Sequence, residues 1–180
     1  SGDYGRGGVP TSDRHDGSWT AIDFNDANWK RGRKGAGYER RSGYQSLISS
    51  ALNFSSQMFN KTESLYLRYA FDVDDPAVVG GLKLRMKYDD GFVAYLNGKR
   101  VASANAPPAT QWNSGATTTH DDSLAVRFES FDISTHRDQL RTGKNVLAIH
   151  GLNGGLTSSD MLIVVEVVST DHGQSRLPEI

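Results

Sequence analysis

Ser64-Leu65-Tyr66-Leu67-Arg68-Tyr69-Ala70-Phe71-Asp72-Val73, and after a short break Leu82-Lys83-Leu84-Arg85-Met86-Lys87-Tyr88, is the stretch whose reading decides the fold. Leu65, Leu67, Tyr69, Phe71 and Val73 fall at every second position, with Arg68 and Asp72 between them. In the second run Leu82, Leu84, Met86 and Tyr88 alternate with Lys83, Arg85 and Lys87. Successive side chains of a strand point to opposite faces, so this spacing describes half-buried β-strands, the second with a basic outer face. Asp89-Asp90-Gly91 then turns the chain into Phe92-Val93-Ala94-Tyr95-Leu96, and Asn97-Gly98 turns it again into residues 99–102. Asn-Gly between alternating apolar runs marks a two-residue hairpin, because both central residues of that turn need positive φ.

Further strands are expected at residues 18–22, 124–133, 145–152 and 161–168. Residues 103–122, with Pro107, Pro108 and Trp112, read as a long loop, and residues 44–52 have room for one or two helical turns. About eight strands without a substantial helix predict an all-β fold, an antiparallel jelly-roll β-sandwich. Its two sheets should bury Leu65, Leu67, Tyr69, Phe71, Leu84, Met86, Leu96, Leu147, Ile149 and Ile163. Residues 1–17 read as a flexible arm or linker, 18–170 as the sandwich domain and 171–180 as a frayed tail.

Composition agrees and narrows the function classes. The 180 residues include 19 glycines, which with many Ser, Thr, Asn and Asp residues is the make-up of short strands joined by turns. There is no cysteine, which excludes disulfides, thiolate metal sites and cysteine nucleophiles. A formal net charge of −1 argues against bulk electrostatic binding of nucleic acid or of a membrane surface, so neither is expected as a partner. No run approaches the roughly 18 apolar residues of a membrane-spanning helix.

Trp19…Phe24-Asn25-Asp26…Trp29…Gly32…Gly37-Tyr38 resembles the opening motif of galactose-binding-like jelly-roll domains. Tyr88-Asp89-Asp90-Gly91-Phe92-Val93-Ala94-Tyr95-Leu96-Asn97-Gly98 is similar to their central hairpin, and Gly143-Lys144-Asn145-Val146-Leu147-Ala148-Ile149 to a strand near their end. Ser158-Ser159-Asp160 before an apolar closing strand is similar to a subset of them, found beside lamin-tail, CotH-like or glycoside-hydrolase modules in large secreted bacterial proteins. The resemblance spans residues 19 to about 168. It implies a secreted or extracellular carbohydrate-binding module with neighbouring domains, and it is specific for fold rather than ligand. It also implies a structural calcium between the opening segment and the last strand, with Asp23, Asp26 and Asp160 at the matching positions.

Asp89 and Asp90 form a second, weaker calcium candidate. Two adjacent carboxylates at a tight turn are a compact oxygen-rich site, and related sugar-binding domains present such a pair, although Asp and Gly also suit a plain turn. Between residues 30 and 41, Lys30, Arg31, Arg33, Lys34, Arg40 and Arg41 stand against Glu39 alone. With Tyr38 and Tyr44 nearby, this basic loop suits an anionic polysaccharide, sulfated or uronic, because guanidinium forks bind such groups bidentately while rings stack on sugar faces. Arg31, Arg33, Tyr38, Arg40, Arg41 and Tyr44 are therefore ligand-contact candidates, and so is Trp112, which equally suits a plug at one end of the sandwich. His120, Asp121, Asp122 and His150 match no hydrolase or metal-protease motif, so no catalytic residue is assigned. The leading expectation is a non-catalytic polysaccharide-binding module. A structural or protein-contact spacer is the alternative, and a polysaccharide hydrolase or lyase the third reading.

Overall fold

A computed structural model describes residues 4–11, 18–33 and 35–171. In chain order its strands are β1 (Gly5–Gly8), β2 (Lys30–Gly32), β3 (Gly35–Glu39), β4 (Ile48–Asn53), β5 (Ser64–Val73), β6 (Val79–Asp89), β7 (Gly91–Leu96), β8 (Lys99–Ala104), β9 (Glu129–Asp132), β10 (Gly143–Leu152) and β11 (Asp160–Asp171). Two one-turn helices, α1 (Ser55–Met58) and α2 (Asp122–Ala125), interrupt them. The first sheet has the order β2-β1-β5-β10-β7-β8 and the second β4-β3-β11-β6-β9, which makes the protein an all-β sandwich. Described strand pairs are antiparallel except β3 with β4, which run parallel.

The alternation read in the sequence faces inward as expected. Leu65, Leu67, Tyr69 and Phe71 of β5, Leu84 and Met86 of β6, Leu96 of β7, Leu147 and Ile149 of β10 and Ile163 of β11 all lie in the buried cluster between the sheets. Asn97 (φ 50°) and Gly98 (φ 90°) close the β7–β8 hairpin, with Leu96 opposite Lys99. A separate apolar layer covers the outside of the first sheet, where Trp19 stacks on Tyr66 at 4.1 Å beside Val146 and Ala148. Another covers part of the outside of the second sheet, where Tyr44, Leu47, Ile48, Ala125 and Val126 pack on Leu162 and Val164.

Five local expectations give way. Asp89-Asp90-Gly91 does not turn a hairpin: it carries the chain from the second sheet to the first, since β6 pairs with β11 and β9 while β7 pairs with β10 and β8. Residues 18–22 are not a strand. Ser18–Thr20 form a 3-10 turn, held because Arg68 donates to the carbonyls of Trp19 and Ala21. The segment 44–52 is not helical: β4 takes its second half, and the backbone N–H of Gly35 donates to Leu47 O where β3 and β4 begin to pair. The strand expected over 124–133 is only β9, preceded by α2, whose start is capped by the Asp121 carboxylate accepting from Ser123 N. Within the expected N-terminal arm, Gly5–Gly8 form β1 between β2 and β5, a berth open to glycine because a Cβ on Gly7 would lie 2.8 Å from Leu67 and Phe54. The remainder of the arm (residues 1–3 and 12–17), Lys34 and residues 172–180 of the tail lie outside the described residues.

Candidate metal centre in an acidic cleft

The pairing of β6 with β11 sets Asp89 opposite Leu162, Lys87 opposite Val164, Arg85 opposite Glu166 and Lys83 opposite Val168. With Leu84 and Met86 facing the core, these residues share the outer face of the second sheet. Asp89 and Asp160 lie at one end of that face, where β6 stops and β11 starts. The loop before β9 brings α2 against β6, and Asp122 in its single turn joins them. One carboxylate oxygen from each of Asp89, Asp122 and Asp160 lies within 4.8 Å of the other two, and this group can hold a metal ion.

The cleft around them measures about 730 Å³, and Thr119, His120, Ser123, Gly154, Ser158 and Ser159 complete its wall. Asp89 is 3% exposed, and its Oδ2 has no hydrogen-bond partner of good geometry. Burial raises its proton affinity far above the ordinary carboxylate range, and neighbouring Asp90 and Asp160 add to that effect. Burial also raises the proton affinity of Asp160, against the Ser158 and Ser159 hydroxyls that donate to it. The hydroxyl of fully buried Tyr44 lies against Asp89 without closing a good hydrogen bond. An unpartnered buried carboxylate is costly, and a cation is one of the few things that relieves it.

Asp90 does different work from Asp89. Its Oδ1 accepts from His120 N at 2.9 Å and its Oδ2 from Gly154 N at 2.6 Å, so it ties two loops to the sheet-switching corner. His120 is held in turn, its ring stacked on Tyr88 and its Nδ1 2.8 Å from Tyr88 O. From below, the Asn153 amide donates to Tyr38 Oη and to Asp160 O, while the Tyr38 hydroxyl donates to Ser158 O. Buried Asp90, Asn153 and Tyr38 thus hold the loops of the wall in place through hydrogen bonds.

The structure regroups the residues singled out in the sequence. Asp23, Asp26 and Asp160 are not brought together: Asp26 bridges Arg68 at 2.9 Å and Arg6 at 3.4 Å, and Asp23 stands in an exposed turn. Of that expected calcium set only Asp160 lies in the cleft, joined by Asp89 of the weaker candidate. Asp122, the third member, carries no metal-ligand spacing in the sequence, where it ends a long loop; in the structure it opens α2, which docks against β6. Tyr38 and Tyr44 are each 1% exposed, so they support the cleft and offer no ring face to a sugar. The expected basic loop is mostly strand, β2 over Lys30–Gly32 and β3 over Gly35–Glu39, and its charges fall in two places. Arg31 and Arg33 are exposed and lie over the ring of Tyr4, whereas Arg40 is exposed over Phe59 and its backbone N–H donates to Ser159 O at the cleft wall. Arg41 follows it, exposed, with its N–H on Glu39 Oε1. Trp112 is half-buried in the long loop, its carbonyl accepting from the Tyr66 hydroxyl on the first sheet's outer side.

The fold is an all-β sandwich similar to parts of larger glycosidase chains. A β-glucuronidase of Bacteroides uniformis has 13% identity and a TM-score of 0.52, the match covering 93% of this chain and 17% of that one. A glycoside hydrolase family 2 member of Bacteroides cellulosilyticus has 12% identity and a TM-score of 0.51, over 91% of this chain and 20% of that one. At these identities the likeness shows the fold, and the chain spans a fifth or less of the length of these proteins. No family model matches the chain, and no curated protein matches it.

Proposed function

We propose that this chain is a galactose-binding-like, non-catalytic carbohydrate-binding module of a larger secreted protein. In this reading it holds one calcium ion at Asp89, Asp122 and Asp160 and binds an anionic polysaccharide at the cleft, with Arg40 and Arg41 on the rim. The observation that carries the reading is the buried, unpartnered Oδ2 of Asp89 beside two further carboxylates in an open cleft.

Carboxylates alone are a hard-oxygen donor set, which favours calcium over metals that seek nitrogen or sulfur. Calcium takes six to eight oxygens, so three carboxylates leave positions for hydroxyl or carboxylate oxygens of a ligand. A uronate suits this seat, its charge shared between the ion and the arginine forks. The similarity to parts of glycosidase chains supports a carbohydrate-related accessory role.

The test is migration through native gels containing uronic, sulfated or neutral polysaccharides, in calcium and in chelator, with the polysaccharides assayed for breakdown. Retardation by an anionic member, strongly reduced by chelator and without breakdown, is the expected result. No retardation by any member would favour the spacer reading. Released oligosaccharide would favour a hydrolase or lyase.

A further inference from the structure

The acidic cleft occupies only one end of the second sheet's outer face. From Asp89 the face runs back along β6 through Lys87, Arg85 and Lys83, three cations on one strand about 6.7 Å apart. The apolar cover of Tyr44, Leu47, Ile48, Ala125 and Val126 packs on Leu162 and Val164, opposite Asp89 and Lys87. Farther along, Phe128 lies beneath two of the cations, its ring centroid 4.4 Å from Arg85 Cζ and 4.7 Å from Lys87 Nζ. Arg85 also bridges Glu166 at 2.6 Å, and Lys83 stands opposite Asp132 of β9. Opposite Lys87 the neighbour on β11 is Val164, which brings no countercharge.

We propose that this stripe is a second contact surface for an anionic polysaccharide, one that works without the metal. The glycan class rests on the function proposed above. The location rests on the stripe itself: cations at regular spacing on a rigid strand, two of them steadied over an aromatic ring. Holding the cations over Phe128 lowers the entropy lost when a sulfate or carboxylate docks, and Arg85 adds a planar fork. The acids Glu166 and Asp132 dilute the charge, which favours a sparsely charged polymer over a dense polyanion.

The experiment uses the whole chain in chelator, where the cleft contributes least, with a sulfated and a uronic polysaccharide and single-stranded DNA as probes. Three proteins are compared: wild type, Lys83→Gln/Lys87→Gln, which keeps the Arg85–Glu166 pair, and Arg31→Gln/Arg33→Gln. Thermal melts confirm that each folds. Wild type should show residual, salt-sensitive retention by a polysaccharide, weakened about fivefold in the lysine variant, as two exposed contacts imply, and unchanged in the arginine variant. Equal retention of the lysine variant and wild type overturns the stripe, as does dependence on Arg31 and Arg33, and either result leaves the calcium-dependent reading standing. Stronger retention by DNA overturns the glycan assignment. Failure of wild type to bind any polysaccharide even in calcium brings down both readings together.

Discussion

Arg68 shows at the scale of one residue why local reading has limits. In the sequence it is the polar member of an alternating strand, and such a position ordinarily faces water. In the structure it is 3% exposed, donating to Asp26 and to the carbonyls of Trp19 and Ala21, with Phe24 beside its guanidinium. The Trp19–Asp26 motif was legible; its anchor was not, because the partner lies more than forty residues away and periodicity carries no information about such pairs. Arg68→Met should cost about 3 kcal/mol in urea unfolding, since it strands two carbonyls and one side of Asp26. A loss below about 1 kcal/mol would mean the opening segment is held by its aromatic packing alone. Tyr44 offers the opposite case. Its hydroxyl is buried without a good partner, so Tyr44→Phe should change stability by less than about 1 kcal/mol. A much larger loss would show that the hydroxyl closes a bond to Asp89.

Elements show which signals travel and which do not. Asn97-Gly98 and Asp89-Asp90-Gly91 are equally good turn signals, yet one closes a hairpin and the other moves the chain between sheets. Alternation tells which side chains face inward, and both strands after these turns keep it. Which sheet a strand joins depends on pairings made by β10 and β11, far along the chain, so it was not legible at the turn itself. The same distance hid Asp122: only the docking of α2 against β6 brings it to Asp89 and Asp160. Gly98→Ala should destabilise by about 1 kcal/mol or more, because φ of 90° is costly for any residue with a Cβ. An unchanged denaturation midpoint would contradict the assigned turn.

The turn after β9 gives a pH prediction. The Asp132 carboxylate accepts from Ser134 N at 2.9 Å, and its hydrogen bonds to Ser134 hold its pKa below the usual value. A folded pKa below the unfolded one adds stability that is present above the unfolded value, near 3.8, and is lost as pH falls through the folded value. The melting-temperature difference between wild type and Asp132→Ala should therefore be largest near neutrality and shrink below about pH 4. A difference that is flat across this range would show that the carboxylate's charge contributes nothing.

At the scale of the whole molecule the sandwich dresses each sheet differently. The first sheet is covered outside by the segment from Trp19 to Trp29, while the second leaves its ends open, one acidic and concave, the other basic. Strand alternation and turn chemistry made the two-layer fold readable. The candidate site was readable only in part, because it is assembled where β6, β11 and α2 meet, from Asp89, Asp122 and Asp160. The most direct test of the account is calorimetric titration of chelator-stripped protein with calcium, alongside Asp160→Asn and Asp26→Asn. Wild type and Asp26→Asn should bind one ion per chain and melt at higher temperature when it is present, as ligand binding to the folded state requires; Asp160→Asn should lose both effects. No calcium heat in wild type, or calcium binding that survives Asp160→Asn and disappears in Asp26→Asn, would contradict it.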